Sequence, residues 1–415
     1  MNKSDSERIA AILQKNNYQP TDKITEADLI VVNMCSIRQS AVDRIYGLKK
    51  KFFELKKNKK NLKTVLTGCY LPPDERKFKN FFSFIFRINE LNKFLDWIGI
   101  KNNKIKNYLS IRPVYSSTFS AYVPIMTGCN NFCTYCVVPY TRKREISRPV
   151  EEIISEIKNL IKSGTKQIIL LGQNVNSYQG KIKKVNTKKF IDFADLLKLI
   201  NDIPGKFWLT FITSHPKNLS DKLIKIMSAG KKIMPYLHLP VQAGNDEILK
   251  KMNRGYTIKN YKKLIYKIRK KIKTISISTD IIIGFPGETK KQFAGTANLM
   301  RQIGFDMAYL AKYSPRPLTA ANRLKDDISC EEKKQRLIIL NEILKKTALK
   351  NNQKYLNKKI DVLITNLNKN GFYHGLSQNF KSVIIRNSNK KQINIGDFHK
   401  IKIKQVIPWG LEGEL

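Results

Sequence analysis

The chain has 415 residues, 42% hydrophobic and 27% charged, enough for two or three domains that each bury a core. Its apolar runs, such as "FFSFIF" at 81–86, are too short to span a membrane, and "MNKSDSERIA" has no signal-peptide core, so a soluble, cytoplasmic chain with no membrane partner is expected. A formal net charge of +44 makes nucleic acid the natural partner, although a chain heavy in Lys, Asn and Ile also follows from an AT-rich genome.

In chain order, Ser4 and Glu7 have capping-box spacing ahead of a helix carrying Ile9, Ile12 and Leu13 inward. "DLIVVNM" at 28–34 reads as a buried strand, and a helix with Ile37, Ala41, Ile45, Leu48, Phe52 and Leu55 on one face follows it. "KTVLTGC" at 63–69 is the next strand, which predicts a small α/β domain with a parallel sheet over 1–110. Cys35 and Cys69 each stand just past a strand end. Ligands gather at that edge of open α/β sheets.

A second series of strands is predicted at 121–126, 167–171, 207–212, 235–238, 275–283 and 306–313, separated by helical patterns such as "VEEIISEIKNLIKSG". Six βα units over 115–350 predict a partial TIM-type barrel, whose chemistry belongs at the carboxyl ends of its strands. Polar residues stand there in succession: the cysteine triplet, Gln173 with Asn174, Ser214 with His215, His238 with Gln242, and "GFPGE" at 284–288. Each alone reads as a turn or a cap. Together, at one end of successive strands, they predict a site.

A charged helix over 330–351 leads to a tail, 353–415, rich in β-branched residues. "KKIDVLITNL", "KSVIIRN" and "HKIKIKQVI" predict a small antiparallel barrel of the OB-like kind with alternating Lys residues on one face.

Residues 128–136 read "GCNNFCTYC". Six cysteines in a large cytoplasmic chain argue against a disulfide framework and for metal. Zinc would ask for a fourth Cys or His nearby, and His215, His238, His374 and His399 are not at zinc-finger spacing. Three close thiolates can instead hold three corners of a 4Fe–4S cluster and leave the fourth iron open to a substrate or cofactor.

With an aromatic residue before its last cysteine, C-x-x-x-C-x-x-C is the radical S-adenosylmethionine signature. The longer stretch "GCNNFCTYCVVPYTRKREISRP", with "NMCSIRQSA", "LLGQNVNSY", "TSHP", "HLPVQAGND", "MNRGYT" and "IIGFPGE", resembles the methylthiotransferase family over nearly the whole chain. The tail resembles that family's TRAM domain, an RNA-binding β-barrel. The resemblance implies that Cys129, Cys133 and Cys136 hold a 4Fe–4S cluster whose open iron chelates S-adenosylmethionine. Reductive cleavage of the sulfonium would then generate a radical able to abstract hydrogen from C2 of an adenine, ahead of sulfur insertion.

It further implies that Asn174, Ser214, Gln242 and the turn from Gly284 to Glu288 position that cofactor, and that Cys35 and Cys69 are two of three ligands of an auxiliary 4Fe–4S cluster. Cys330 matches no ligand position. The implied partners are tRNA, an electron donor such as a flavodoxin or ferredoxin, and a sulfur source. The implied substrate is N6-(dimethylallyl)adenosine beside the anticodon, with threonylcarbamoyladenosine, a ribosomal-protein aspartate, or non-catalytic tRNA binding as alternatives. Two departures stand out. The family's first strand and first auxiliary cysteine precede the "MN" that opens this sequence, so either an upstream start or a form inactive in sulfur insertion is expected. In "YSPRPLTAA" at 313–321, Leu318 and Thr319 disturb the family's glycine-threonine-proline turn.

Overall fold

Parallel strands organise both parts of the chain in the computed structural model, which describes residues 1–100, 105, 107–181, 190–386 and 392–415. Two units emerge. The first comprises Met1–Ser116, Met126–Arg148 and Ser314–Arg323, and the second Ser117–Ile125, Pro149–Tyr313 and Leu324–Leu415.

The first unit starts with α1 (Asn2–Lys15), β1 (Leu29–Cys35), α2 (Gln39–Asn58), β2 (Lys63–Cys69), α3 (Pro72–Phe78), β3 (Phe84–Ile85) and α4 (Leu91–Trp97). Its strands pair in parallel in the order β1-β2-β3, with helices as the crossovers that parallel pairing requires. Because successive strand residues point to opposite faces, β2 feeds two cores. Val65 packs with Ile9, Ile12, Phe86 and Phe94, and Leu66 with Met34, Val42, Phe52 and Phe78. The β1–β2 register ends on Cys35 beside Cys69.

Three local expectations fail here. Ser4 and Glu7 lie inside α1, whose N-cap is Met1 with no side-chain cap. Both have other partners: Ser4 accepts from Arg8, and Glu7 Oε1 accepts the Ser116 amide and hydroxyl at 3.0 and 2.7 Å. β1 is half-buried except at Met34, because in this sheet it pairs on one side only. Ile37 precedes α2 and is exposed.

The chain next forms β4 (Ser120–Pro124) of the second unit, then the first unit's antiparallel ribbon β5 (Met126–Thr127) and β6 (Ile146–Ser147), with α5 (Val138–Arg142) between its strands. The second unit resumes with α6 (Val150–Lys162), β7 (Gln167–Leu171), a ribbon of β8 (Gln179–Lys181) and β9 (Phe190–Asp192), α7 (Phe193–Asn201), β10 (Trp208–Phe211), α8 (Asp221–Ala229) and β11 (Tyr236–His238). After these come α9 (Asp246–Lys251), α10 (Ile258–Lys271), β12 (Ser276–Ile283), α11 (Lys290–Ile303) and β13 (Met307–Lys312). Parallel ladders join β4-β7-β10 and β11-β12-β13. A parallel bridge between Leu209 and Ile233 links the two sets. Among the described residues no ladder closes β13 onto β4, so the six strands form the expected partial barrel.

Helix α12 (Cys330–Gln353) leads to β14 (Lys359–Leu367), β15 (Tyr373–Ser377), β16 (Ser382–Arg386), β17 (Phe398–Ile407) and β18 (Gly410–Glu414), a closed barrel in the order β14-β15-β16-β18-β17. Ile401 and Ile403 point into its core beside Val362, Val383 and Leu411, while Lys400, Lys402 and Lys404 alternate outward. The expected antiparallel pairing is found throughout the ring except between β16 and β18, which pair in parallel. Five strands in a ring cannot alternate direction at every neighbour, so one parallel pair is obligatory.

Within the second unit this barrel is seated by Tyr236 stacked on Phe380 at 4.3 Å, by Trp208 against Phe398 at 4.7 Å, and by a buried ion pair between Lys381 Nζ and Asp306 Oδ1 at 2.7 Å. Asp306 Oδ2 also accepts the Ile277 amide at 2.8 Å. Removing one partner of such a pair strands a buried charge, at a cost of about 3–5 kcal/mol. Lys381→Met is therefore expected to lower the unfolding free energy read from urea titration by that order, and adding Asp306→Asn to it should recover most of the loss.

Candidate functional site

The three cysteines of the triplet lie in the first unit, in the loop between β5 and α5. The Cys129 amide donates to the Lys143 carbonyl at 3.1 Å, and a turn forms where the Cys136 amide donates to the Cys133 carbonyl at 2.9 Å. Gly128 sits at φ +83, and a Cβ there would fall 2.0 Å from the Arg144 carbonyl oxygen. Only glycine fits. On the opposite side of the loop, Lys143 holds φ 64 and ψ −161, a conformation almost confined to glycine and tolerated only where surrounding contacts impose it. Cys129 and Cys133 are buried, Cys136 is half-buried, and all are thiols. Burial pushes the Cys129 thiol up. Ionised, it would need a cationic partner, which iron supplies.

These residues fit an iron–sulfur cluster: three thiols on one locked loop and no fourth Cys or His within it. Among the described residues no group of three or more His, Cys, Asp or Glu side chains converges on a single ion position. A 4Fe–4S cluster does not require one, since each thiolate takes a different iron.

Cys35 and Cys69, side by side at the end of the β1–β2 ladder, belong to the same unit. Burial raises the Cys35 thiol. Ser36 donates its hydroxyl to the Cys69 carbonyl, which fixes the strand end. Arg142, the last residue of α5, donates from Nε to Cys69 Sγ at 2.9 Å and from Nη2 to Asp5 Oδ2 at 2.6 Å. Burial opposes the charge of Arg142, but Asp5, Cys69 and Tyr108 outweigh it and hold its pKa above the ordinary arginine value.

The other candidates lie in the second unit, at the carboxyl ends of its strands. Asn174 follows β7, is 2% exposed, and donates from Nδ2 to Asn218 Oδ1 at 3.2 Å. Ser214 follows β10 and donates to the His238 carbonyl. Gln242, at φ +73, bridges its backbone to β12 through Asp280 and Ile282. Gly284, at φ +70, donates its amide to Glu288 Oε2 at 2.9 Å. Glu288 is buried, and Arg336 Nη1 reaches the same carboxylate oxygen at 2.9 Å. Its carboxylate, raised by that burial against the pull of Gly284 and Arg336, shapes the turn.

Among the described residues, Gln173 Oε1, Asn174 Oδ1 and His215 Nε2, just beyond β7 and β10, are buried without a protein partner. His215 Nδ1 accepts the Lys217 amide at 3.2 Å, so the neutral ring carries its proton on Nε2. Cys330, exposed at the start of α12, joins none of these groups.

Sequence reasoning missed Arg142, Arg254 and Arg316. All three stand in stretches quoted above, but the partners of Arg142 and Arg316 are distant in the chain. Arg254 donates to the Pro240 carbonyl at 3.1 Å and lies over the Tyr256 ring. Arg316 pairs with Asp74 at 3.0 Å. It anchors a loop in which Leu318 is held at φ +70 and the Ala321 amide donates to the Thr134 carbonyl at 2.8 Å.

Three family models match the chain. Residues 123–300 match the Radical SAM superfamily, residues 1–86 the Uncharacterized protein family UPF0004, and residues 353–415 the TRAM domain. A tRNA-2-methylthio-N(6)-dimethylallyladenosine synthase of Dictyoglomus thermophilum is 38% identical, covering 100% of this chain and 96% of the relative. Proteins of the same name from Thermoanaerobacter sp. (strain X514) and Dehalococcoides mccartyi (strain CBDB1) are each 38% identical over 100% of this chain, and 90% and 96% of their own lengths. Radical SAM membership implies a 4Fe–4S cluster and S-adenosylmethionine.

His215 gives a pH test of the strand-end site. Its pKa is pushed down to about 3 by burial, with Arg254 and Lys217 adding to the effect. An unfolded histidine titrates near about 6.5, so below that pH the unfolded chain takes up a proton the folded chain refuses. Stability is full above about pH 6.5 and falls as pH drops toward the folded value, by about 2 kcal/mol at about pH 5. In His215→Gln the urea midpoint should change less between those two pH values than in the parent.

Proposed function

The chain belongs to the radical-SAM tRNA methylthiotransferases, and from that premise we propose that it transfers a methylthio group to C2 of N6-(dimethylallyl)adenosine beside the tRNA anticodon. The observation that carries the reading is the locked Cys129, Cys133 and Cys136 loop, in one unit with the Cys35 and Cys69 pair. The proposed functional regions are 1–110 for an auxiliary cluster, 115–350 for radical chemistry, and 353–415 for RNA binding. The cytoplasm is the proposed location, with a flavodoxin or ferredoxin as electron donor and a separate sulfur source. No helix among the described residues is long and apolar enough to cross a membrane.

Cys129, Cys133 and Cys136 would hold the radical-SAM cluster, and Cys35 with Cys69 the auxiliary one. Cluster and S-adenosylmethionine together supply one-electron cleavage of a sulfonium, chemistry strong enough to break a C–H bond that acid or base catalysis cannot reach. The residues do the positioning. Gly128 lets the Arg144 backbone approach, and the Lys143 carbonyl fixes the Cys129 amide. Asn174 Oδ1 is an acceptor suited to the cofactor's ammonium, and His215 Nε2–H a donor suited to its carboxylate. Ser214, Gln242 and Gly284 set the strand-end backbone around them, and Glu288 with Arg336 holds the Gly284 turn. Lys400, Lys402 and Lys404 offer phosphate contacts on the outer face of β17.

Digests of tRNA from cells with and without the gene test the reaction. Methylthio-N6-dimethylallyladenosine should vanish from the deletion strain with N6-dimethylallyladenosine left in its place, and a Cys133→Ala gene should not restore it. Loss of a methylthio group from threonylcarbamoyladenosine, or no change in either nucleoside, overturns the proposal. The purified Cys133→Ala protein should form no 5′-deoxyadenosine.

A further inference from the structure

Arg142 stands six residues after the last cysteine of the triplet, yet its guanidinium ends at Cys69 of the other pair, donating from Nε to Sγ at 2.9 Å. We propose that Arg142 is a positioning residue that holds Cys69 as an iron ligand and, by donating a charged hydrogen bond to its sulfur, makes the cluster bound there easier to reduce. The inference rests on the reading of Cys35 and Cys69 as ligands of an auxiliary cluster.

The guanidinium has little freedom. Nη2 donates to Asp5 Oδ2 at 2.6 Å and Asn2 Oδ1 at 2.9 Å, and Nη1 to Tyr108 OH at 3.4 Å. Arg142 and Asp5 are almost wholly buried, at 2% and 1% side-chain exposure. A planar donor fork fixed on three sides aims its Nε–H at one point, which is the sulfur. Arginine does not lose its proton in proteins, so the sulfur faces a permanent cation in a low-dielectric setting.

Hydrogen bonds to ligand sulfurs and local charge are among the factors that set cluster potentials. Reduction adds negative charge, and a cationic donor on the sulfur stabilises the reduced form. Asp5 works the other way, since its carboxylate cancels part of that positive charge. The two residues should therefore move the potential in opposite directions. A pair that only braced the fold would move stability alike in both variants and leave the potential alone.

The test uses the full-length protein carrying C129A, C133A and C136A, so that the remaining iron belongs to the other pair, loaded anaerobically with iron and sulfide. Midpoint potentials are read by electron paramagnetic resonance during a redox titration, with thermal unfolding of each variant as the check on folding. Arg142→Gln should shift the midpoint to more negative values and lower the iron content, with Arg142→Lys between it and the parent. Asp5→Asn should shift it to less negative values. If Arg142→Gln does not fold, Arg142→Lys, which keeps a cation beside Asp5, and Asp5→Asn decide the matter by the signs of their shifts. Iron-loaded variants with unchanged midpoints overturn the role of Arg142. Failure of the parent with its triplet removed to hold any iron–sulfur cluster overturns the auxiliary reading, and this inference with it.

Discussion

The buried pair of Asp5 and Arg142 is the constraint on which the first unit depends. Asp5 lies in the first turns of α1, and Arg142 ends the helix that follows the cysteine triplet. Their contact spans 137 residues of chain. It adds a buried charged contact to the lighter ones that hold the same segment: the β5–β6 ribbon, the Cys129 amide on the Lys143 carbonyl and the Ala321 amide on the Thr134 carbonyl, and Arg87 on the Tyr140 carbonyl. A buried pair of this kind is not cheap to form, and leaving either member alone is worse. In the same fork, Arg142 Nε reaches Cys69 Sγ.

The second unit solves a different problem by simpler means. Its β7 is buried at every residue, so its end is fixed by packing, and polar side chains placed just beyond it inherit that rigidity. Asn174 and His215 each commit one polar atom to a neighbour, Asn218 or the Lys217 amide, and leave another buried without a partner. Half-satisfied groups cost stability in the absence of a ligand.

Much of this was legible in the sequence because burial writes directly into it. The run "QIILL" at 167–171 is a strand with the predicted bounds, and the alternation of Lys and Ile in β17 reports its inside and outside residue by residue. The cysteine triplet and Gly128 carry their geometry in their spacing. What failed has a common cause. Ser4 and Glu7 have the spacing of a cap, but Arg8 and Ser116 claim their side chains. The parallel pairing of β16 with β18 follows from closing a ring of five, which no local pattern encodes. Arg142 reads as one basic residue among several in "TRKRE", and its two main partners lie 73 and 137 residues away. Long-range polar contacts leave no periodicity to read.

A double-mutant cycle on the apo protein tests that pinning most directly. Unfolding free energies of the parent, Asp5→Asn, Arg142→Gln and the double variant would be compared. A buried pair holding the cysteine segment predicts a coupling energy of about 3 kcal/mol, with the double variant more stable than the sum of the single losses implies. Additive losses, within about 0.5 kcal/mol, would mean that Asp5 and Arg142 do not hold each other, and the account of the first unit would fall.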